Sequence, residues 1–512
     1  MKYLYGLAIL CCLVLWSSCR NDFETVPSTG NLEFSKDTVY LDTVFTNIGS
    51  STYNLKVYNR SDEDIRIPTL RLSQGQASNY RLNVDGIPGK EFTDVQVLAK
   101  DSIFIFVEMT LDINNLPTGG NDFLYTDQIL FDSGGNEQKV ELVTLVQDAI
   151  FLFPDDLGNG FFETITLGTG PDPTEILGFY LDDTELNFTN EKPYVIYGYA
   201  GVDVGKTLTI DPGARIYFHA NSGILVKNTG SIKALGEAST DLELLENEII
   251  FEGDRLEPDF ADVPGQWGTI WLTDGSIDND FSFVTIKNAS IGIRLDSDEG
   301  VETLSLKNVQ IYNSSFVGLL GLNGNIYGEN VVINNSGQSS LSIALGGDYT
   351  FNHCTFANYW TNSFRSFPTV QILNYLETED AILVSDLDAN FTNCIVYGNE
   401  QREVGLDRLD DALFSFNFKN SLIRFEDPNG DFTDNPLYQF DDMTFYDGIT
   451  LNLNPTFQDT SNNNFNIELG VSGAENLGLM PTAPPVPFDL NNTIRANPAD
   501  AGAYESTEFP PE

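Results

Sequence analysis

The sequence predicts an all-β protein in two parts, a β-sandwich over residues 31–150 and a parallel β-helix over residues 190–505. Three observations carry this prediction. Short alternating strands with polar turns fill the first part, a repeat with a period in the twenties fills the second, and helical periodicity competes in neither. With 512 residues, 41% of them apolar and 12% aromatic, the chain is long enough for two or three domains and apolar enough to fill their cores.

The first part reads as Thr38-Val39-Tyr40-Leu41, Leu55-Lys56-Val57-Tyr58, Ile103-Phe104-Ile105-Phe106-Val107 and Val140-Glu141-Leu142-Val143. Turn spellings such as Asn59-Arg60-Ser61-Asp62 and Asp85-Gly86 separate them, the pattern of a sandwich. Residues 151–189 read as a connecting segment.

The second part lines up on one template: Phe283-Val284-Thr285-Ile286, Asn308-Val309-Gln310-Ile311, Asn330-Val331-Val332-Ile333, His353-Cys354-Thr355-Phe356, Asn393-Cys394-Ile395-Val396 and Asn420-Ser421-Leu422-Ile423. Its second column, positions 284, 309, 331, 354, 394 and 421, is spaced by 25, 22, 23, 40 and 27 residues. Such periods, with Gly and Asn at the turns, point to coils that each have an unburied apolar face and must stack to cover it. A leucine-rich repeat would show Leu-x-x-Leu-x-Leu, which is absent. Earlier coils fall at Leu208-Thr209-Ile210, Ile216-Tyr217-Phe218, Ile224-Leu225-Val226 and Ile249-Ile250-Phe251. The asparagines before the column are expected to stack as a structural turn ladder.

The repeat resembles the right-handed parallel β-helix proteins, the pectate-lyase-like superfamily, over roughly 190–505. The closing residues Phe465-Asn466-Ile467-Glu468-Leu469, Asp489-Leu490-Asn491, Arg495 and Asp500-Ala501-Gly502-Ala503-Tyr504-Glu505 resemble the terminal signature of secreted β-helix repeat proteins. That resemblance implies a segment closing the solenoid end, followed by a tail over 506–512. The first part is similar to the immunoglobulin-like modules of bacterial lipoproteins. The expected fold is therefore an N-terminal immunoglobulin-like β-sandwich followed by a right-handed parallel β-helix.

The N-terminus supplies an address. Lys2 is the only charge before Cys19, and Tyr3 to Trp16 form an apolar run of fourteen residues. That is short of the roughly 20 needed to span a membrane and fits a signal-peptide core. Trp16-Ser17-Ser18-Cys19 resembles the lipobox of bacterial lipoproteins, which implies a signal peptide over 1–18, lipidation of Cys19 and a membrane partner reached through the acyl anchor. The following Arg20-Asn21-Asp22-Phe23-Glu24 resembles the acidic export signal of Bacteroidota lipoproteins. It implies a tether over 19–30 and display on the outer face of the outer membrane.

Composition excludes several chemistries. There are 75 acidic and 26 basic residues, a net charge of -49, which argues against nucleic acid, since phosphate contacts need clustered Lys and Arg. Two histidines make metal or triad chemistry improbable, and His219 and His353 both fall within strand patterns. Beyond Cys19, only Cys354 and Cys394 outlast the signal peptide. They share the buried column, on adjacent coils if residues 360–390 bulge outward, either as two stacked thiols or as a disulfide.

No catalytic constellation is found. Asp410-Asp411 and Asp441-Asp442 are consecutive and, if extended, would point to opposite faces. Asp296-Ser297-Asp298-Glu299-Gly300 begins like a calcium loop but lacks its acidic fifth position. No cofactor motif is present, and no metal ligand is assigned. The candidate contacts are aromatic: Trp267 and Trp271, in a Pro- and Gly-rich loop, and Tyr359 and Trp360, ahead of an insertion running to about Asp386. In the first, Trp267 could stack on a sugar or a partner protein, or the tryptophans could cover an end or a domain junction; the second, with its insertion, could make a binding arm. Two functions follow. One is a non-catalytic surface lipoprotein that binds glycan or supports an outer-membrane protein complex; the other is a divergent polysaccharide lyase or glycoside hydrolase.

Overall fold

The computed structural model describes residues 25–510 apart from 113–121, 133, 169–172, 242–243 and 297–301. Cys19 with the expected signal peptide, and Ser297 to Gly300 of the calcium-loop-like stretch, lie outside the described residues. The chain is all-β: among the described residues the regular elements are strands and short 3-10 turns. It divides into two compact units, residues 1–148 and 149–512.

The first unit holds two principal sheets. One runs in the order Val26–Pro27, Ile65–Leu72, Asp122–Phe131, Gln138–Gln147, Thr38–Phe45, with Glu91–Val97 also on Ile65–Leu72. The other runs Glu33–Phe34, Tyr53–Tyr58, Ser102–Met109, Tyr80–Val84, Ile87–Gly89. The alternation read from sequence decides which side is covered. In Ser102–Met109, Ile103, Ile105, Val107 and Met109 are buried while Phe104 and Phe106 stay exposed. Inward residues of both sheets, among them Val39, Leu55, Ile67 and Leu142, form one core.

The second unit is one continuous winding. Its main sheet joins 27 strands, and chain-successive turns pair in parallel. Val284 is in register with Val309, Gln310 with Val332, Val332 with Thr355, Thr355 with Ile395 and Ile395 with Leu422. The column 284-309-331-354-394-421 therefore stacks in line, and all six side chains are fully buried. Cys354 and Cys394 are neighbours in it, both free thiols. Burial pushes the Cys354 thiol well above its ordinary value, so it behaves as a small apolar residue.

Every residue preceding that column has a left-handed backbone: Phe283, Asn308, Asn330, His353, Asn393 and Asn420, with φ between 49° and 56°. Asparagine tolerates this region best among residues with a Cβ. The side chains link between turns, Asn330 Nδ2 to Asn308 Oδ1 at 2.9 Å and Asn393 Nδ2 to His353 Nε2 at 2.8 Å.

One boundary differs from expectation. Residues 151–189 are not a connector: Ile150–Leu152 pairs with Tyr194–Ile196, and Gly178 to Tyr180 pairs with Tyr199 to Gly201. The winding starts near residue 150, where an inserted antiparallel hairpin, Thr164–Leu167 with Thr174–Tyr180, interrupts the period. The closing segment also takes a course that local pattern did not suggest. It runs back along the flank, where Phe465, Ala503 and Tyr504 pack on Tyr312, Val332 and Ala357. Further along, Ile467, Ala474 and Ala501 pack on Ile395 and Leu422. The asparagine ladder is its rail: Asn393 exchanges hydrogen bonds with Leu479, and Asn330 and Asn420 donate to the carbonyls of Phe488 and Leu477. Gly502 N–H also donates to the Asn393 carbonyl.

Candidate functional site

The flank of the early turns carries a cavity of about 520 Å³, within the range of small-ligand sites (~300–1,000 Å³). Three parallel turns make its floor. Leu225 is in register with Trp271, and Trp271 with Arg294, so this column faces away from the core that Ile224, Ile270 and Ile293 fill. Ile176 and Leu177 of the inserted hairpin form one wall; Ile291 and Phe316 form another, with Asn221, Thr269 and Ser290 supplying polar edges.

Tyr199 lies along the floor because glycines leave it room. A Cβ on Gly223 would come within 2.6 Å of the Tyr199 ring, and one on Gly268 within 2.3 Å of its hydroxyl. Burial holds the Tyr199 phenol above its ordinary value, so it is a neutral donor at physiological pH. Asp296 fixes the opposite side. It accepts from Trp271 Nε1 at 2.6 Å and from Arg294 Nε at 2.7 Å, and the Arg294 guanidinium sits 4.2 Å from the Trp271 ring centroid. Asp296 and the cation–π contact thus hold both side chains in place.

Of the four aromatic residues singled out by sequence, only Trp271 lines this cavity. Trp267 is a correction: it is core, stacked on Phe218 at 4.2 Å, with its Nε1 donating to the Lys287 carbonyl. The register puts it on the inner side of its turn. Tyr359 is half-buried, its ring 6.3 Å from both Phe457 and Phe465 of the returning segment. Trp360 is buried and donates to Ser363. Neither begins a free arm, because Val370–Leu373 rejoins the winding, and what projects is the short hairpin Tyr375–Glu377 with Ile382–Val384. Sequence reading missed Tyr199, Arg294, Leu177 and Phe316. The signal for Arg294 was present, since it follows Trp271 in the outward column once the register is written out.

The lining residues include no carboxylate and no imidazole among the described residues. Asp410, Asp411, Asp441 and Asp442 are all exposed. His219 forms a dyad with the half-buried Asp254, Nδ1 to Oδ2 at 2.7 Å, and stacks on the Tyr197 ring. His353 is buried, and that burial depresses its basicity. The cavity offers aromatic faces, hydroxyls, an amide and one cation.

No family model matches the chain, and no curated protein does. Solved structures give slight likenesses. A family 123 glycoside hydrolase from Clostridium perfringens is 9% identical over 23% of this chain and 26% of its own, at a TM-score of 0.16. The E. coli chaperone DraB is 12% identical over 24% of this chain and 58% of its own, at 0.17. The catalytic domain of a family 87 α-1,3-glucanase, solved with tetrasaccharides, is 8% identical over 72% of this chain and 80% of its own, also at 0.17. At such scores none bears on fold or activity.

Proposed function

We propose that the chain is a lipid-anchored protein of the outer membrane surface that binds a glycan without turning it over. In this reading an N-terminal immunoglobulin-like sandwich carries a right-handed parallel β-helix, and the Trp271–Arg294 cavity is the binding site. The observation that carries the proposal is the cavity's composition. Trp271 and Tyr199 offer faces for the apolar side of a sugar ring, and Asn221, Thr269, Ser290 and Arg294 offer partners for its hydroxyls. The parallel register and the buried column support the β-helix, and the lipobox-like Trp16-Ser17-Ser18-Cys19 supports the anchor.

Titration of the purified protein against a panel of neutral and uronic oligosaccharides tests the site. Binding is expected with at least one class, and Trp271→Ala weakens it about tenfold or more, the loss of roughly 1.4 kcal/mol. Release of new reducing ends or unsaturated products would establish the lyase or hydrolase alternative instead. Absence of binding across the panel removes the glycan reading. For the anchor, Cys19→Ser abolishes incorporation of radiolabelled palmitate and moves the protein out of the membrane fraction. Unchanged labelling would place the lipid elsewhere.

A further inference from the structure

Just after the second unit begins, the chain makes a small hairpin of its own, Asp156–Gly158 paired with Phe161–Phe162, separate from the main sheet. Its turn uses left-handed residues Gly158, Asn159 and Gly160. Leu157 is 67% exposed, Phe161 71% and Phe162 50%, and the nearby Phe153 is 60% exposed. Three large apolar side chains on nine residues, 155–163, contribute nothing to the core that fills the winding. Single exposed apolar residues need no explanation, but a projecting group of them marks a contact surface.

Along the chain the charge here is one-sided; in space a cation lies on the next hairpin, where Lys227 Nζ donates to the Thr166 carbonyl. From Ala149 to Glu191 the chain has nine acidic residues and no Lys or Arg. Asp155, Asp156 and Glu163 flank the apolar side chains directly. We infer that this hairpin is a docking finger for a folded protein partner, one whose surface has an apolar pocket bordered by Lys and Arg. Aromatic anchors entering a pocket while a charged rim sets orientation is the usual division of labour at such interfaces. A second copy of this chain fits poorly, because each copy carries a net charge of -49 and the two would repel. A phospholipid surface of net negative charge repels the same carboxylates. The inference is independent of the cavity, which lies on other residues.

The test uses the full-length protein in its own cells with benzoylphenylalanine, a photo-cross-linker, in place of Phe161. One protein is expected as the adduct. That protein, purified, should bind the wild-type chain with an affinity that drops about tenfold between 50 and 500 mM NaCl. Leu157→Ser/Phe161→Ser/Phe162→Ser should weaken binding about tenfold or more, with thermal unfolding unchanged because the tip is outside the core. Asp155→Lys/Glu163→Lys, which spares the Asp156 carboxylate that accepts from the Gly158 amide within the turn, should weaken it as well, and Trp271→Ala should not. Adducts to lipid, to a second copy, or to residues 25–148 of the same chain would overturn the inference. So would the absence of any adduct, or binding indifferent to salt and to both hairpin variants.

Discussion

Glu403→Ala is expected to cost about 3–5 kcal/mol of stability, because it strands a buried cation. Arg365 and Glu403 are both buried and paired bidentately, Nη1 to Oε2 at 2.9 Å and Nη2 to Oε1 at 2.8 Å. Glu403 also accepts from the Thr369 amide and hydroxyl and from the Glu400 amide. Arg365 also donates through Nη1 and Nη2 to the carbonyls of Phe367 and Asn358 and to Asn399 Oδ1, while its Nε has no hydrogen-bond partner among the described residues. The pair fastens the loop after Trp360 to the turn that carries Val404–Asp407. Removing the carboxylate leaves the guanidinium desolvated with neutral acceptors only. Arg365→Met/Glu403→Leu removes both charges and should lie closer to wild type than the single variant does. Denaturant unfolding of the three proteins decides this. If Glu403→Ala loses less than about 1 kcal/mol, water reaches the site and the loop is not fastened there.

The winding was legible in the sequence because stacking imposes a simple rule. Each turn must present a small or branched apolar side chain at the same inward position, and a residue tolerant of left-handed backbone just before it. Val284, Val309, Val331, Cys354 and Cys394 obey the first condition, and Asn308, Asn330, Asn393 and Asn420 the second. The start of the winding was hidden because the hairpin at 164–180 breaks the spacing that reveals a period. The course of the returning segment along the flank was not legible, since it rests on residues distant in the chain, such as Leu477 with Asn420, 57 positions away, and Arg495 with Asn330, 165 positions away. Local pattern has no access to such pairs. The cavity is similar: Tyr199, Trp271, Arg294 and Phe316 belong to four different turns. Composition drew attention to tryptophan, but Trp267 and Trp271 differ in orientation, and only register assigns one to the core and the other to the flank.

Arg495→Met tests whether the returning segment is held by charge or by apolar packing. Arg495 is buried, donating to Glu505 Oε1 at 3.0 Å, to Asn330 Oδ1 at 2.7 Å and to the carbonyls of Gly502 and Ala503. Asp489, Asp500 and Glu505 are buried around it and tie the segment together by accepting backbone amides, among them Glu505 N–H on Asp489 and Asn476 N–H on Asp500. Without the cation these carboxylates face one another unneutralised, so a loss of about 3 kcal/mol is expected. Amide hydrogen exchange locates the loss. Leu479, Leu490, Ala501 and Gly502 should exchange about a hundredfold faster, while amides of the inner turns keep their protection. Equal acceleration in the turns would make the segment part of one cooperative unit with them. The pH dependence separates charge from packing. Burial already holds the Asp489 carboxyl above its ordinary value, opposed by its amide hydrogen bonds and by Arg495. In the variant that carboxyl titrates higher still. A carboxyl whose folded value exceeds its unfolded one gains stability as pH falls through the folded value. The deficit of Arg495→Met should therefore shrink on going from pH 7.5 to pH 5. A deficit constant across that range would mean that the lost contact is one of shape, and that Asn330, Asn393 and Asn420 hold the segment without help from charge.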